Sequence, residues 1–500
     1  MSKELQALKD ILAEVNDLQN ASAVLSWDQQ TYMPPKGAEA RGQAQGTLDK
    51  LAHEKFTAAQ VGTLLEALEK QAGSWDPDSD EARLVKVTRR SFDKATKLPS
   101  AMVVERAELT TMGNQAWMEA RSTSQFAIFE PHLEKLVDWS RRYAELFAPY
   151  EHVYDPVLDE YEPGMKTADV KAIFSDIRPK QVELIKRIAA AQQVDDSVLH
   201  QPFAEPDQWA FGVNVITDFG YDWAQGNLSK TTHPFQTTLG WGDHRITTRV
   251  YPDFFNPFFF GTLHEAGHAM HAQGMAESLK RTPLYNSPSL AIGESQSRLW
   301  ENLVGRSKPF WEHYFPKLQQ VFPQQLKGVQ MESFYKAINK VAPSYIRVEA
   351  DEATYNLHIM LRLELEIALM EGEAEVHKLP MYWNEMFQQY LGVTPPNDRE
   401  GVLQDVHWSF GLMGYFSTYA LGNLVSAQLW EVAHRDIPGL DDKIRSAEFA
   451  PLLHWLNQHI HAPGAKFEPQ EMVQRITGEK INGDTYIRYL ESKFSDIYGL

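Results

Sequence analysis

Cysteine is absent from all 500 residues. No disulfide framework, thiolate zinc site or catalytic thiol is therefore available. Positive charge is also scarce: 48 Lys and Arg stand against 67 Asp and Glu, a net charge of −19. Nucleic-acid affinity rests mostly on cations meeting phosphates, so this balance argues against that class of partner, and against an anionic membrane surface. Long apolar runs are missing too, since no stretch approaches the ~18 residues of a spanning helix. No internal repeat, low-complexity tract or long Pro/Ser/Gly linker divides the chain. What remains is 43% hydrophobic and 23% charged, a globular mix with ample material for a core. The opening MSKELQALKDILAEVNDLQ reads as an amphipathic, mixed-charge helix rather than a secretory leader, so a soluble cytoplasmic protein is expected.

Most of the chain reads with helical period. Residues 3–19 place Leu5, Leu8, Ile11, Leu12, Val15 and Leu18 on one stripe. Further helices are predicted near 37–71, 79–97, 100–121, 126–149, 167–192, 309–340, 343–371, 411–435, 445–458, 469–477 and 483–496, with breaks at SWDPDS (74–79) and EPG (162–164). Residues 228–251 differ. Rich in Thr, aromatics and β-branched side chains, with Gly240 and Gly242 as turn signals, they predict a small antiparallel sheet. Asp243, Arg245 and Thr247 then share one strand face. The expected architecture is one mostly α-helical unit over 1–500, two lobes around a groove, with metal-site helices near 257–305.

The chemistry concentrates at His264-Glu265-Ala266-Gly267-His268, an HExxH pattern. On a helix, His264 and His268 sit one turn apart on one face, as two imidazoles on one ion require. Glu265 lies about 100° round, within reach of a water on the metal without being a ligand. Asn256-Pro257 predicts the helix start, which leaves Thr262 inside the helix and discounts a capping box with Glu265. A catalytic zinc takes a third protein ligand and keeps one open position. The extended HExxHxxGxxH pattern fails, because His271 and Gly274 occupy its glycine and last histidine positions. The better source is a second helix beginning near Ser287-Pro288, where Glu294 and Glu301 share a face. Glu301 is either an acceptor for an imidazole N–H or a solvated partner of Arg298. Two His and one Glu suit zinc, with cobalt or manganese as alternatives. Such an ion lowers the pKa of its water and polarises a carbonyl, while Glu265 moves the proton; the reaction class is metal-assisted hydrolysis, foremost of a peptide bond.

At this point the sequence resembles a known family, the metallocarboxypeptidases typified by carboxypeptidase Taq. The motifs run in order: His233-Pro234-Phe235, DHRIT (243–247), HEAGH (264–268), Glu294-Ser295-Gln296, IRVEAD (346–351) and GVLQDVHW (401–408). An N-terminal block, Trp27-Asp28 to Met33-Pro34 with Arg41, is similar as well. The resemblance implies a neurolysin-like helical fold with a deep groove, a homodimer, and removal of single residues from peptide C-termini. It implies His264, His268 and Glu294 as metal ligands and Glu265 as general base. One departure is visible: Gly293 stands where the family usually has His.

An exopeptidase must recognise a free α-carboxylate, best with a guanidinium. Arg347 is the first candidate, placed near the start of the 343–371 helix and anchored by Ile346, Ala350, Ala353, Leu357, Leu361 and Leu365. The alternative is an ion pair with Asp351 at i+4. Arg245 is a second cation, or a partner of Asp243, and His233 lines the same pocket or is a turn residue. An exposed strand edge there suits an extended peptide. For the developing oxyanion, Tyr419 is the first donor, with Tyr415 behind it and His407 as the other candidate; Trp408 reads as core. Two rival readings stand beside the carboxypeptidase: an endopeptidase with the same metal chemistry, and a non-catalytic helical binding scaffold.

Overall fold

Ser2 caps the first helix by accepting from Leu5 N at 3.2 Å. In this computed structural model, which describes residues 2–500, that helix (α1) runs Lys3–Thr31, and it buries Leu5, Leu8, Leu12 and Val15 of the expected stripe. α2 (Ala38–Phe56), α3 (Ala59–Ala72) and α4 (Asp80–Lys97) follow, so the helix expected over 37–71 is two, divided at Thr57 and Ala58. Next come α5 (Ser100–Thr123), α6 (Phe126–Glu145), the single turn α7 (Asp155–Leu158), α8 (Thr167–Ala190) and α9 (Glu205–Phe219). Beyond the sheet lie α10 (Phe255–Gln273), α11 (Leu290–Arg298), α12 (Lys308–Val321), α13 (Met331–Ile338), α14 (Tyr355–Glu371) and α15 (Leu379–Leu391). The chain closes with α16 (Ser417–Asp436), α17 (Leu440–Arg445), α18 (Ala450–Leu456), α19 (Pro469–Thr477) and α20 (Asp484–Tyr498).

Periodicity did not predict α9 or α15. Both carried punctuation that sequence reading could have used: a proline in the first turn, and a left-handed glycine after the end, Gly220 (φ 103°) or Gly392 (φ 72°). The helix expected over 343–371 also starts later. Arg347–Glu349 is an isolated 3-10 turn, and α14 begins only at Tyr355. Asp351 is the reason. Its carboxylate accepts from Ala353 N at 2.9 Å, Thr354 N at 3.0 Å and Ala342 N at 3.0 Å, which ties the approach to α14 into a non-helical loop.

The sheet is mixed, not antiparallel. Its order is β1 (Gly226–Lys230), β3 (Asp243–Thr248), β2 (Gln236–Gly240). β2 and β3 form an antiparallel hairpin through Trp241-Gly242, while β1 pairs with β3 in parallel, from Gly226↔His244 to Lys230↔Thr248. The chain reverses once between β1 and β2 and once more into β3. Because β3 lies between the other two, it runs the same way as β1. His244, Ile246 and Thr248 point into the body, and Thr248 Oγ1 meets Thr262 Oγ1 at 3.0 Å, fixing the sheet against α10.

Two hydrophobic clusters organise the helices. The smaller joins Leu5, Leu12, Val61, Leu65, Leu84 and Phe92 from α1, α3 and α4 to Leu279 and Leu284. The larger holds the rest of the molecule together, including the buried faces of α10, α11, α14 and α16. A cavity of about 1390 Å³ opens between the two, lined by His53, Arg90 and Lys94 on one side and Trp139, Tyr161 and Ser289 on the other. The mostly helical class with a small sheet is what the sequence led us to expect, and the residues lining this cavity include none of the metal-site candidates. Among the described residues, no helix is long and apolar enough to cross a membrane.

Candidate active site

α10 brings the two histidines together. It starts at Phe255, two residues before Pro257, and Asn256 does not cap it: its Oδ1 is buried without a hydrogen-bond partner among the described residues. Thr262 lies inside the helix, as expected, and its hydroxyl donates to Phe258 O at 2.7 Å. One turn separates His264 from His268, and their ring centres are 4.9 Å apart.

α11 supplies the carboxylate. Its cap is Ser289, which accepts from Ile292 N at 3.1 Å, one residue beyond the expected Ser287-Pro288 start. The helix entrance is fixed by a second carboxylate from elsewhere in the chain. Buried Glu162 accepts from Ala291 N at 2.7 Å, while Tyr161 O accepts from Leu290 N at 3.1 Å. Burial pushes the Glu162 pKa up to about 8, so the group serves this helix start as a hydrogen-bond acceptor rather than as a charge. With this entry, Glu294 Oε2 lies 3.8 Å from His264 Nε2 and Glu294 Oε1 lies 3.9 Å from His268 Nε2. The ligand atoms of His264, His268 and Glu294 are all within 4.8 Å of one another. Two imidazole nitrogens and one carboxylate are a donor set for a divalent transition metal.

Two glycines allow this convergence. A Cβ on Gly267 would stand 2.7 Å from Ser297 Cα and 2.8 Å from Gln296 O, so only glycine lets α10 and α11 pack this closely. A Cβ on Gly422 of α16 would stand 2.6 Å from Glu294 Cβ. Gly267→Ala is expected to force the two metal-bearing helices apart, lowering stability by about 1–3 kcal/mol and weakening metal binding. Denaturant unfolding and chelator competition measure the two effects; unchanged values in both would mean that the helices yield without moving the ligands. Gly293 is different, because among the described residues a Cβ there meets Ser287 alone, Oγ at 3.6 Å and Cβ at 3.9 Å, and the position has room for a side chain.

Glu301 meets both His264 and Arg298, but it is largely buried rather than a solvated partner. It lies on the π-helical turn Leu299–Val304 and accepts from His264 Nδ1 at 2.9 Å and from Arg298 Nη1 at 3.0 Å. The bond to Nδ1 leaves Nε2 of His264 as the lone-pair nitrogen facing Glu294. Burial opposes the charge on Glu301, but Arg298 and His264 bring its pKa down to about 2. Burial lowers His268 to about 4, keeping that ring neutral and able to donate its lone pair. Glu265 is only 7% exposed and carries no hydrogen bond or ion pair among the described residues. Burial, opposed by nearby His264, pushes its pKa up to about 7.

The substrate-side candidates divide. Arg347 is not paired with Asp351, which serves the loop before α14. Its Nε and Nη2 donate instead to Asp405 Oδ1 at 3.1 and 2.8 Å. Asp405 also takes Arg362 Nε on Oδ2 at 2.7 Å. Arg347 is 5% exposed and Arg362 0%. Two guanidiniums on one carboxylate leave a buried unit of net positive charge. Tyr419 joins this cluster: its ring centre is 4.9 Å from the Arg347 guanidinium, and its hydroxyl is 3.4 Å from His407 Nε2. Tyr419 lies one turn before Gly422 on α16, so the same helix face reaches Glu294. Tyr415 packs 5.5 Å behind Tyr419, and burial lowers His407 to about 4. Trp408 is core, donating to Glu366 Oε1 at 2.7 Å.

Arg245 and His233 are not brought into this cluster by any hydrogen bond or ion pair among the described residues. Arg245 is held by Asp243 through two bonds of 2.8 Å and stacks on Trp27 at 4.3 Å. His233 is exposed on the link between β1 and β2.

The order and spacing of these groups match a known family. The family described as carboxypeptidase Taq (M32) metallopeptidase matches residues 7–494. The chain belongs to this family. Thermostable carboxypeptidase 1 of Thermus thermophilus is 41% identical over 504 residues, covering 99% of each chain. Carboxypeptidase 1 of Bacillus subtilis is 36% identical over 490 residues, covering 98% of this chain and 97% of its own. Among solved structures, an M32 carboxypeptidase from Deinococcus radiodurans R1 superposes with a TM-score of 0.97 at 39% identity, over 100% of both chains. A Pyrococcus furiosus carboxypeptidase does so with a TM-score of 0.95 at 34% identity, over 99% of both. As a member of the carboxypeptidase Taq family, the protein is a metal-dependent carboxypeptidase.

Sequence reasoning gave no role to Arg362, Asp405, Tyr355 or Glu162. A signal existed for Arg362, a lone cation within the apolar run NLHIMLRLELEIALM (356–370). Asp405 lies inside the GVLQDVHW motif, but nothing local indicates that it faces two arginines 58 and 43 residues away. Glu162 stands in the EPG break, and its sequence context carries no sign of a role.

Proposed function

We propose that the protein is a zinc-dependent carboxypeptidase in which His264, His268 and Glu294 hold the metal and Glu265 is the general base. The observation that carries this reading is Glu265 itself: a buried carboxylate with no hydrogen-bond or ion-pair partner among the described residues, next to three converging donor groups. A structural metal site has no use for such a group. Zinc held there supplies positive charge that acidifies water and polarises the scissile carbonyl. Glu265 accepts the proton of the attacking water and returns it to the leaving amine. Tyr419, with His407 beside its hydroxyl, donates to the oxygen on which negative charge develops, a contribution of ~3 kcal/mol for such a donor. Glu301 and Arg298 hold the His264 ring in orientation.

The exopeptidase half of the reading rests on the Arg347–Asp405–Arg362 unit. Its excess positive charge is buried, where a carboxylate gains more from it than in water. Arg245 is already neutralised by Asp243, and His233 faces solvent, so both stand behind Arg347 as substrate contacts. A homodimer and a cytoplasmic setting complete the proposal, with sedimentation and cell fractionation as their measurements.

Amidating the C-terminus of an N-blocked dipeptide tests the clamp. The amide is expected to lose roughly 100-fold or more in kcat/KM, about two charge-assisted hydrogen bonds. Equal cleavage of acid and amide would instead support the endopeptidase. Chelation is expected to stop hydrolysis and zinc to restore it, with cobalt and manganese as comparisons. A chelated protein that unfolds, after showing no hydrolysis when loaded, would support the scaffold reading.

A further inference from the structure

Between the metal-side residues and the Arg347 unit lies one side chain that touches both. Tyr355, the first residue of α14, is 5% exposed. Arg347 Nη1 donates to its hydroxyl at 2.8 Å. On its ring face, the Arg298 guanidinium stacks at 4.5 Å, and Arg298 leads through Glu301 to His264. Its ring centre is 6.3 Å from that of Tyr419, edge to face. A continuous chain of contacts thus runs from Asp405 through Arg347, Tyr355, Arg298 and Glu301 to His264.

A tyrosine hydroxyl can donate one bond as well as accept. Buried tyrosines normally have a partner for that proton. Tyr355 accepts from Arg347 and, among the described residues, donates to none. Arg347 meanwhile has Nε and Nη2 occupied by Asp405 and Nη1 directed at Tyr355. A hydroxyl that accepts from a guanidinium is polarised and becomes a stronger donor. Stacking under Arg298 fixes its position.

We propose that Tyr355 is a further substrate-binding residue, whose hydroxyl donates to the terminal carboxylate of the peptide and so carries the Arg347 charge to it. The proposal rests on the carboxylate clamp put forward above. It gives the clamp a neutral front, polarised from behind by a cation already fixed in an ion pair. It also explains why a tyrosine, rather than an apolar residue, fills this nearly closed position.

The test uses the zinc-loaded protein and an uncleavable reduced-amide dipeptide analogue, as the free acid and as its C-terminal amide. Tyr355→Phe removes the hydroxyl and keeps the ring. The inhibition constant of the acid is expected to rise about 10-fold, the size of one charge-assisted hydrogen bond, with that of the amide within about 2-fold. Zinc release to a chelator is expected to stay within about 2-fold of wild type. An acid constant that does not change, acid and amide constants that weaken together, or faster zinc release would each overturn the proposal. Arg347→Met separates the two levels of the argument. If it leaves the preference for acid over amide intact, the clamp itself is wrong; if it removes the preference while Tyr355→Phe does not, only the role of Tyr355 fails.

Discussion

Glu265→Gln should lower kcat/KM by roughly 10²–10⁴-fold, the range of a positioned general base, and leave the metal in place. Glutamine has nearly the shape of glutamate, so the packing of α10 should survive. It cannot take a proton from water, so the one step assigned to Glu265 is lost. None of the three proposed metal donors is altered, and among the described residues Glu265 holds no hydrogen bond or ion pair whose loss would disturb them. Stability should not fall, because burial already disfavours the ionised form of this side chain. Metal content, unfolding midpoint and steady-state rates measured on one preparation separate these effects. Turnover within 10-fold of wild type, with metal still bound, would remove Glu265 from the mechanism.

Asp405→Asn is expected to be the most destabilising isosteric change in the site, by about 3–5 kcal/mol. In the wild type, one carboxylate receives both Arg347 and Arg362. Removing its charge leaves two buried guanidiniums facing each other with nothing between them to offset the repulsion. Burial opposes the Asp405 charge, but the two arginines hold its pKa far below the ordinary 3.8. The sign of the pH dependence follows. A carboxylate with a depressed folded pKa contributes its full stabilisation above the unfolded value and loses it as pH falls towards the folded value. The gap between wild type and variant should therefore be constant above about pH 5 and narrow on acidification below about 4. Denaturant titrations at several pH values measure it. A gap under ~1 kcal/mol at neutral pH would mean that hydrogen bonds, rather than charge, hold the two arginines.

The metal-side geometry was the most legible part of the molecule. HExxH is a local pattern: a turn of helix places His264 and His268 on one face whatever surrounds them. Glu294 was legible for a similar reason, since a capped helix follows one loop later in the chain. The mostly helical fold was readable from periodicity, although boundaries moved where a side chain captured backbone N–H groups, as Asp351 does before α14. Sheet direction was not readable. A reversal between neighbouring strands suggests antiparallel pairing, but which strands become neighbours depends on the surface they pack against.

The sequence by itself determined the helical class, the paired imidazoles with their adjacent Glu265, and the absence of any thiol chemistry, because each depends on residue type or on spacing within a few turns. Tertiary structure alone decided that Asp405, not Asp351, balances Arg347, that Glu162 accepts from Ala291 N in the first turn of the Glu294 helix, and that Tyr355 lies between Arg347 and Arg298. Those choices join residues 8 to 129 positions apart. Their partners are selected by which buried charges and donors remain unmatched once the helices have packed, and no local pattern records that.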